Sequence, residues 1–279
     1  MTLQALPSLR DAMAEHGLLA RKSLGQHFLF DLNITRKIAR LAGLRDGERV
    51  IEVGPGPGGL TRALLEAGAR VTAIEKDARF LPLLNELAQA AEGRLKIVLA
   101  DATTVDEAAL TDGEPAAIVS NLPYNVGTPL LIKWLAGAFT PSAMTLMFQK
   151  EVAQRIIAQV GDPAYGRLAV IVQATSRALL VMDVPARAFT PPPKVESAVV
   201  RLTPRADRAE PAILAALQQV TAAAFGQRRK MLRASLKALG GAQFCLDADI
   251  DPKARAETVP VEGFLRLARR RIGLSAQDG

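Results

Sequence analysis

The sequence predicts an α/β fold built on a parallel sheet and followed by a small all-helical module, and three observations carry that prediction. Apolar runs recur at 49–53, 70–75, 95–101 and 116–120, the last three each closing on a polar residue. Helically spaced segments lie between them, so consecutive strands run the same way. Past a polar, charged stretch at 203–210 the strand-like runs stop and the chain turns helical. With 279 residues and 49% hydrophobic content the chain can bury a full core. The expected domains are 1–204, holding the sheet, and 205–279, holding the helices.

The first strand ends in Ile51-Glu52-Val53-Gly54-Pro55-Gly56-Pro57-Gly58-Gly59-Leu60. Leu60, Ala63, Leu64 and Ala67 then recur at helical spacing until Gly68, giving strand, tight turn and helix. Such a turn lets a ligand approach bare backbone, while the helix offers unpaired N–H groups, so a nucleotide-like guest is expected. The pattern Gly54-x-Gly56-x-x-Gly59, with Glu75 closing the next strand, also satisfies the dinucleotide fingerprint. Glu52 argues against a pyrophosphate, because a carboxylate two residues before the first glycine is expected near the ligand and would repel a second anion. A cationic ligand is favoured. S-adenosylmethionine carries a sulfonium and an ammonium, and Glu75 can accept from its ribose hydroxyls. An NAD-linked oxidoreductase is disfavoured by Glu52 and by the lack of an acid–base pair suited to hydride transfer.

In chain order, Ser8 with Asp11 three residues on predicts a capped helix near the start. Next comes Arg21-Lys22-Ser23-Leu24-Gly25-Gln26-His27-Phe28-Leu29, where His27 by itself reads as a hydrogen-bonded loop histidine. Asp31 then caps a helix with Ile34, Ile38, Leu41 and Ala42 on one face and Gly43 at its end. In parallel sheets ligands bind beyond the carboxyl ends of the strands, where Glu75, Asp101 and Asn121 all fall. Asp101 can accept from an adenine amino group or cap the following helix.

Asn121-Leu122-Pro123-Tyr124 is the chemical core of the sequence. Pro123 keeps Leu122 out of helix, so the strand ends in a hook that presents the Leu122 carbonyl beside the Asn121 side chain. An exocyclic base amine is a poor nucleophile because its lone pair is delocalised. Two acceptors holding its N–H groups favour pyramidalisation, and Tyr124 can stack on the ring. A further strand is expected at 143–148 and a helix through Glu151, Val152, Arg155 and Ile156, whereas 168–174 fits helix or strand. Two strand-like runs flank Phe189-Thr190-Pro191-Pro192-Pro193-Lys194, whose prolines argue against regular structure. Phe189 is either the second face of a base clamp or simply packed. Finally Arg229, Arg233 and Lys237 fall at i, i+4 and i+8, joined by Arg228 and Lys230, and opposite Ala224, Phe225, Leu232 and Leu236. That spacing predicts one basic helix face suited to a phosphate backbone, with Arg269-Arg270-Arg271 extending it.

Charge agrees with a polyanionic partner. The net charge is +7, and residues 205–279 hold 13 basic against 8 acidic side chains. A single cysteine excludes an internal disulfide, and two histidines make a zinc site improbable. No charge-free apolar run spans a bilayer and no signal pattern opens the sequence, so a cytoplasmic protein without metal or membrane contact is expected.

Taken together, these motifs resemble the ribosomal RNA adenine dimethyltransferases, and among them the bacterial small-subunit type known for kasugamycin sensitivity. The resemblance runs from about residue 23 to 272. It rests on Leu24-Gly25-Gln26-His27-Phe28-Leu29, the glycine turn, Asn121-Leu122-Pro123-Tyr124, residues 189–197, and Phe225-Gly226-Gln227-Arg228-Arg229-Lys230-Met231-Leu232-Arg233. It implies a seven-stranded, Rossmann-like class I methyltransferase sheet with an inserted antiparallel last strand, and a small helical C-terminal domain. It also implies S-adenosylmethionine contacts at His27, Leu29, Gly54, Gly56, Glu75, Asp101, Ala102 and Asn121, catalytic roles for Asn121, Leu122, Tyr124 and Phe189, and RNA contacts at Arg228, Arg229, Lys230, Arg233 and Lys237. The implied reaction is double N6-methylation of two adjacent adenines in the 3′-terminal hairpin loop of small-subunit rRNA, by a monomer acting on an immature 30S particle. His27 and Ala234 stand where the family often has asparagine. Alternatives are the sister group that modifies a large-subunit (23S) adenine, which the proline run and the Arg228 motif disfavour, and an assembly checkpoint whose binding matters more than its chemistry.

Overall fold

The computed structural model of the chain describes residues 2–18, 26–227 and 229–273. Local chemistry sets the element boundaries. Ser8 caps α1 (Leu9–Glu15), accepting from the Asp11 N–H and donating to the Asp11 carboxylate at 2.6 Å. After the short β1 (Phe28–Leu29), Asp31 caps α2 (Leu32–Ala42) through the Asn33 N–H, and Gly43 ends that helix in the left-handed region. Strands and helices then alternate as β2 (Arg49–Val53), α3 (Gly59–Glu66), β3 (Arg70–Glu75), α4 (Leu81–Ala90), β4 (Leu95–Leu99), α5 (Glu107–Leu110), β5 (Ala117–Asn121), α6 (Gly127–Ala136), β6 (Met144–Gln149) and α7 (Lys150–Ile157). Next come α8 (Arg167–Gln173), β7 (Ser176–Val184), β8 (Phe189–Thr190) and β9 (Ser197–Pro204). Four helices follow: α9 (Pro211–Gly226), α10 (Leu232–Ser235), α11 (Gly241–Leu246) and α12 (Val261–Arg271).

Seven strands form one sheet in the order β4-β3-β2-β5-β6-β9-β7. The first five of these run parallel, and β9, last in the chain, lies antiparallel to β6 between it and β7. This is the sheet that the resemblance implies. The central strands β2 and β5 are buried along nearly their whole length, which is why they read as unbroken apolar runs. The ambiguous 168–174 segment is helical, as α8. Its Leu168, Ala169, Val170, Ile171 and Val172 are all buried, a helix apolar on every side, so no period could betray it. The proline run does contain regular pairing: Phe189 and Thr190 form β8 against β1, with Leu29 opposite Phe189. The prolines begin one residue later and do not interfere.

The chain divides into two compact units. The first comprises Met1–Trp134, Phe139–Ala153 and Leu179–Thr203, and the second Leu135–Ala138, Gln154–Ala178 and Pro204–Gly279. The second thus takes in more than the expected 205–279. Tyr165, Ala169, Val170 and Ala174 are buried in the same apolar cluster as Leu214, Leu217, Val220, Phe264 and Leu267, and the Tyr165 hydroxyl donates to the Val259 carbonyl at 3.0 Å.

The single basic helix face is also corrected. α9 stops at Gly226, and the chain resumes helix only for α10, with a 3-10 turn at Lys237–Leu239. Tertiary pairing overrides the helical spacing: Met231 bridges Arg255, while the N–H groups of Leu232 and Arg233 donate to the Ala254 and Pro252 carbonyls. Arg229 and Lys230 therefore sit in the turn, Arg233 on α10 and Lys237 at the 3-10 turn, all four exposed. Arg228 lies outside the described residues. Leu232 and Leu236 do face the core, both fully buried.

Candidate active site

The glycine turn leaves β2 and enters α3 through three residues with positive φ: Gly54 at 68°, Gly56 at 54° and Gly58 at 87°. A Cβ on Gly54 would come within 3.3 Å of Pro123, and one on Gly56 within 3.0 Å of the Phe28 ring. Side chains at either position would have to displace a wall of the cavity beyond the turn. Glu75, at the end of β3, fixes the turn from the neighbouring strand. Its Oε2 accepts from the Gly56 N–H at 3.0 Å, and its Oε1 from the Lys76 and Asp77 N–H groups at 2.8 Å each. Burial raises the Glu75 pKa, and these three donors oppose that rise only in part.

The cavity has a volume of about 360 Å³ and opens beyond the carboxyl ends of β2, β3, β4 and β5. Its lining includes His27, Gly54, Gly56, Glu75, Asp101, Ala102, Asn121, Leu122 and Tyr124 from the expected set. Asp101 has both oxygens engaged: Oδ1 by the Thr103 N–H and hydroxyl, Oδ2 by Lys76 Nζ at 2.7 Å. Those partners, led by Lys76, hold its carboxyl far below the usual carboxylate range. It closes the turn after β4, whereas Asp106 caps α5 through the Ala108 N–H, so the expected capping role is not the one Asp101 has, and any contact with an adenine amine shares an oxygen already in use. Phe28, Val53, Ile74, Lys76, Asp77 and Pro123 also line the cavity and were not anticipated. Lys76 and Asp77 directly follow Glu75, so a strand-end signal extended by two residues would have found them.

At the end of β5 the Asn121 Nδ2 donates to the His27 carbonyl over 3.5 Å. Neither Asn121 Oδ1 nor the Leu122 carbonyl receives a donor among the described residues. Tyr124 is half-buried, which raises its pKa, and its hydroxyl is tied to Ser197 Oγ at 2.7 Å. The His27 ring stacks on Tyr124 with centroids 5.6 Å apart, and its Nδ1 lies 2.7 Å from the Pro191 carbonyl. His27 is thus the hydrogen-bonded loop histidine that its residue type suggests, and it also contributes an aromatic wall.

Two expected site residues lie elsewhere. Phe189 is 3% exposed, packs in the core of the first unit and is not in the cavity lining. Leu29 belongs to the same core, leaving Phe28 to face the cavity. Strand alternation explains the swap: in the β1–β8 ladder Leu29 and Phe189 are partners and share the buried side.

Glu52 is also corrected. It is buried and does not line the cavity; its Oε2 has no hydrogen-bond partner among the described residues. Burial pushes its carboxyl up to about 8, against the nearby Thr61 hydroxyl and with a smaller push from Glu75. At neutral pH it is therefore mainly uncharged and repels no anion. Preference for a cationic ligand falls instead to Glu75, Asp77 and Asp101, which do line the cavity.

A parallel sheet with an inserted antiparallel strand, a glycine-rich turn and a ribose-competent carboxylate on the next strand define a class I, S-adenosylmethionine-dependent methyltransferase. The family profile for ribosomal RNA adenine dimethylase matches residues 17–272, and the chain belongs to that family. It is 71% identical over 268 residues to the ribosomal RNA small subunit methyltransferase A of Phenylobacterium zucineum, covering 96% of this chain and 94% of that protein. Identity to the protein of the same name from Caulobacter vibrioides is 68% over 255 residues, 91% of this chain and 98% of that one. Among solved structures it is similar to a dimethyladenosine transferase from Plasmodium falciparum, with a TM-score of 0.74 and 27% identity, over 89% of this chain and 99% of that one. The 23S rRNA methyltransferase ErmE gives 0.66 and 32%, over 87% and 98%.

The Glu52 environment sets a pH dependence. As pH rises past the ordinary value of 4.5 the unfolded chain releases this proton, while the folded chain keeps it until about 8, so the group lowers stability progressively across that window. Glu52→Gln removes the titration and is expected to exceed the parent in stability by roughly 3 kcal/mol at pH 7 and little at pH 4. Urea unfolding at both pH values measures this, and a gap that does not grow with pH contradicts it.

Proposed function

We propose that the chain transfers methyl groups from S-adenosylmethionine to N6 of two adjacent adenines in the 3′-terminal hairpin loop of small-subunit rRNA, twice each. It acts as a cytoplasmic monomer on an immature 30S particle. The observation that carries this reading is the pair of unused acceptors, Asn121 Oδ1 and the Leu122 carbonyl, side by side on the cavity wall. Relatives at 71% and 68% identity that are named for the small subunit favour this substrate over the 23S one, since identity to ErmE is 32%.

The cavity residues suit the cofactor. Gly54 and Gly56 present bare backbone, Glu75 would accept from the ribose hydroxyls, and Asp101 with Ala102 would hold the adenine. When bound, the cofactor supplies an electrophilic methyl on a sulfonium. Asn121 and Leu122 then accept from the two N6 hydrogens of the target adenine, localise its lone pair and aim it into the cavity. Tyr124 holds the base by stacking, on the ring face that His27 leaves open. Its hydroxyl anchor on Ser197 keeps the side chain from swinging away, and the His27 ring packs against one face. No strong general base is needed, because the nitrogen becomes acidic once alkylated. To reach this geometry the adenine leaves its stack.

Asn121→Ala is expected to abolish nearly all product while RNA binding persists, because the lost contact strengthens in the transition state. Mass spectrometry of rRNA from cells lacking the protein, carrying it, or carrying the variant maps the sites. Full dimethylation by the variant, or no difference without the protein, overturns the reading. Glu75→Ala should lower S-adenosylmethionine affinity by about tenfold or more, since a hydrogen bond to a charged group contributes ~1.5–3 kcal/mol. Calorimetry reads this directly. Arg229 and Arg233, though not on one helix, are both exposed, and changing them to alanine should weaken binding to immature subunits and flatten its salt dependence without altering cofactor affinity. An unchanged salt slope would make them ordinary surface charges.

A further inference from the structure

The parallel strands of the first unit have two ends, and the amino ends carry a concentration of charge that methyl transfer does not use. β2 and β3 each begin with an arginine, and Arg49 and Arg70 are direct partners in the ladder. On β4, Lys96 is the partner of Thr72, which lies two residues from Arg70 and so on the same face of the sheet. With Arg94, these residues line a cleft of about 140 Å³ whose lining holds one carboxylate, Asp112. Arg49, Arg70 and Lys96 are exposed, and none of the four cations makes an ion pair among the described residues. Arg94 alone has a structural task, donating to the Leu65 carbonyl in the last turn of α3 at 2.6 Å.

Like charges directly opposite each other on neighbouring strands destabilise a sheet, and strands lie only about 4.8 Å apart. A paired Arg49 and Arg70, with Lys96 beside them, lowers the stability of the free protein unless an anion joins them. The cleft is smaller than the roughly 300–1,000 Å³ of sites that enclose a nucleotide-sized ligand, but a single phosphate group fits it, and arginine forks match phosphate oxygens. We propose that this amino edge is a second RNA contact, holding a phosphodiester stretch of the substrate rRNA away from the adenine being methylated. This rests on the reading of the chain as an rRNA methyltransferase. The RNA is then held at both edges of the same sheet, its chemistry at one and a backbone segment at the other.

The test uses the full chain with Arg49→Gln and Arg70→Gln combined, leaving Arg94 in its structural role. Affinity for unmethylated small subunits should fall about fivefold or more near physiological salt, and the slope of log affinity against log salt should shrink by about 1 to 2. S-adenosylmethionine affinity should stay unchanged, and the melting temperature should hold or rise as the like-charge pair disappears. A variant that binds the particle with parent affinity and slope overturns the proposal. So does a parent that binds inorganic phosphate calorimetrically, and a variant that does not, while both bind the particle alike; the cleft is then a free-anion site. A lowered melting temperature that accounts for the lost binding would make the arginines structural and also overturns it. If the parent itself fails to methylate small-subunit rRNA while still binding the particle through these residues, the proposed function fails and the RNA contact stands.

Discussion

The cavity depends on one buried carboxylate. Glu75 gathers the N–H of Gly56 with one oxygen and those of Lys76 and Asp77 with the other, so a single side chain ties the glycine turn after β2 to the end of β3. These three donors counter part of the penalty that burial imposes on the carboxylate. The turn needs such an anchor, because glycines lose more backbone freedom on folding than other residues. One side chain thereby shapes the cavity floor and remains in its lining.

The other wall is assembled from segments far apart in sequence. β1 and β8 pair across the chain, and the His27 contact with the Pro191 carbonyl joins residues 164 positions apart. Tyr124 is held from two sides, by Ser197 at its hydroxyl and by His27 at one ring face. A planar ring fixed in this way loses little further entropy when a base stacks on it, which is the advantage of a preorganised platform. Asn121 and Leu122 keep open acceptors because the strand has ended and Pro123 prevents a helix from claiming their partners.

Charge is placed by a different logic. Glu52, at the heart of the sheet, is neutralised by burial, whereas Asp77 and Asp101 are held in the charged form by their donors, and both face the cavity with Glu75. Besides Lys76 at the cavity, basic side chains gather in the turn and short helix after α9 and at the amino ends of β2, β3 and β4. Within the first unit the acids of the cavity lie at the carboxyl ends of the strands, and Arg49, Arg70 and Lys96 line a cleft at the amino ends. Among the described residues no helix is long and apolar enough to cross a membrane, and no group of three or more histidine, cysteine or acidic side chains could hold a metal.

The sequence by itself determined whatever depends on near neighbours. The alternation of strands and helices, the Ser8 and Asp31 caps, the glycine turn, Glu75 at its strand end and the Asn121 hook were all legible, because period, capping and φ preference act within a few residues. Tertiary structure alone decided which side chains face the cavity. Phe189 and Leu29 turn inward because β1 pairs with β8, and His27 rather than Phe189 meets Tyr124. The regular spacing of Arg229, Arg233 and Lys237 yields no helix face because residues 252–255 claim the backbone of 231–233. Glu52 loses its charge to burial, which is set by every element packed around it. In each case the deciding partner lies tens of residues away, beyond the reach of any local pattern.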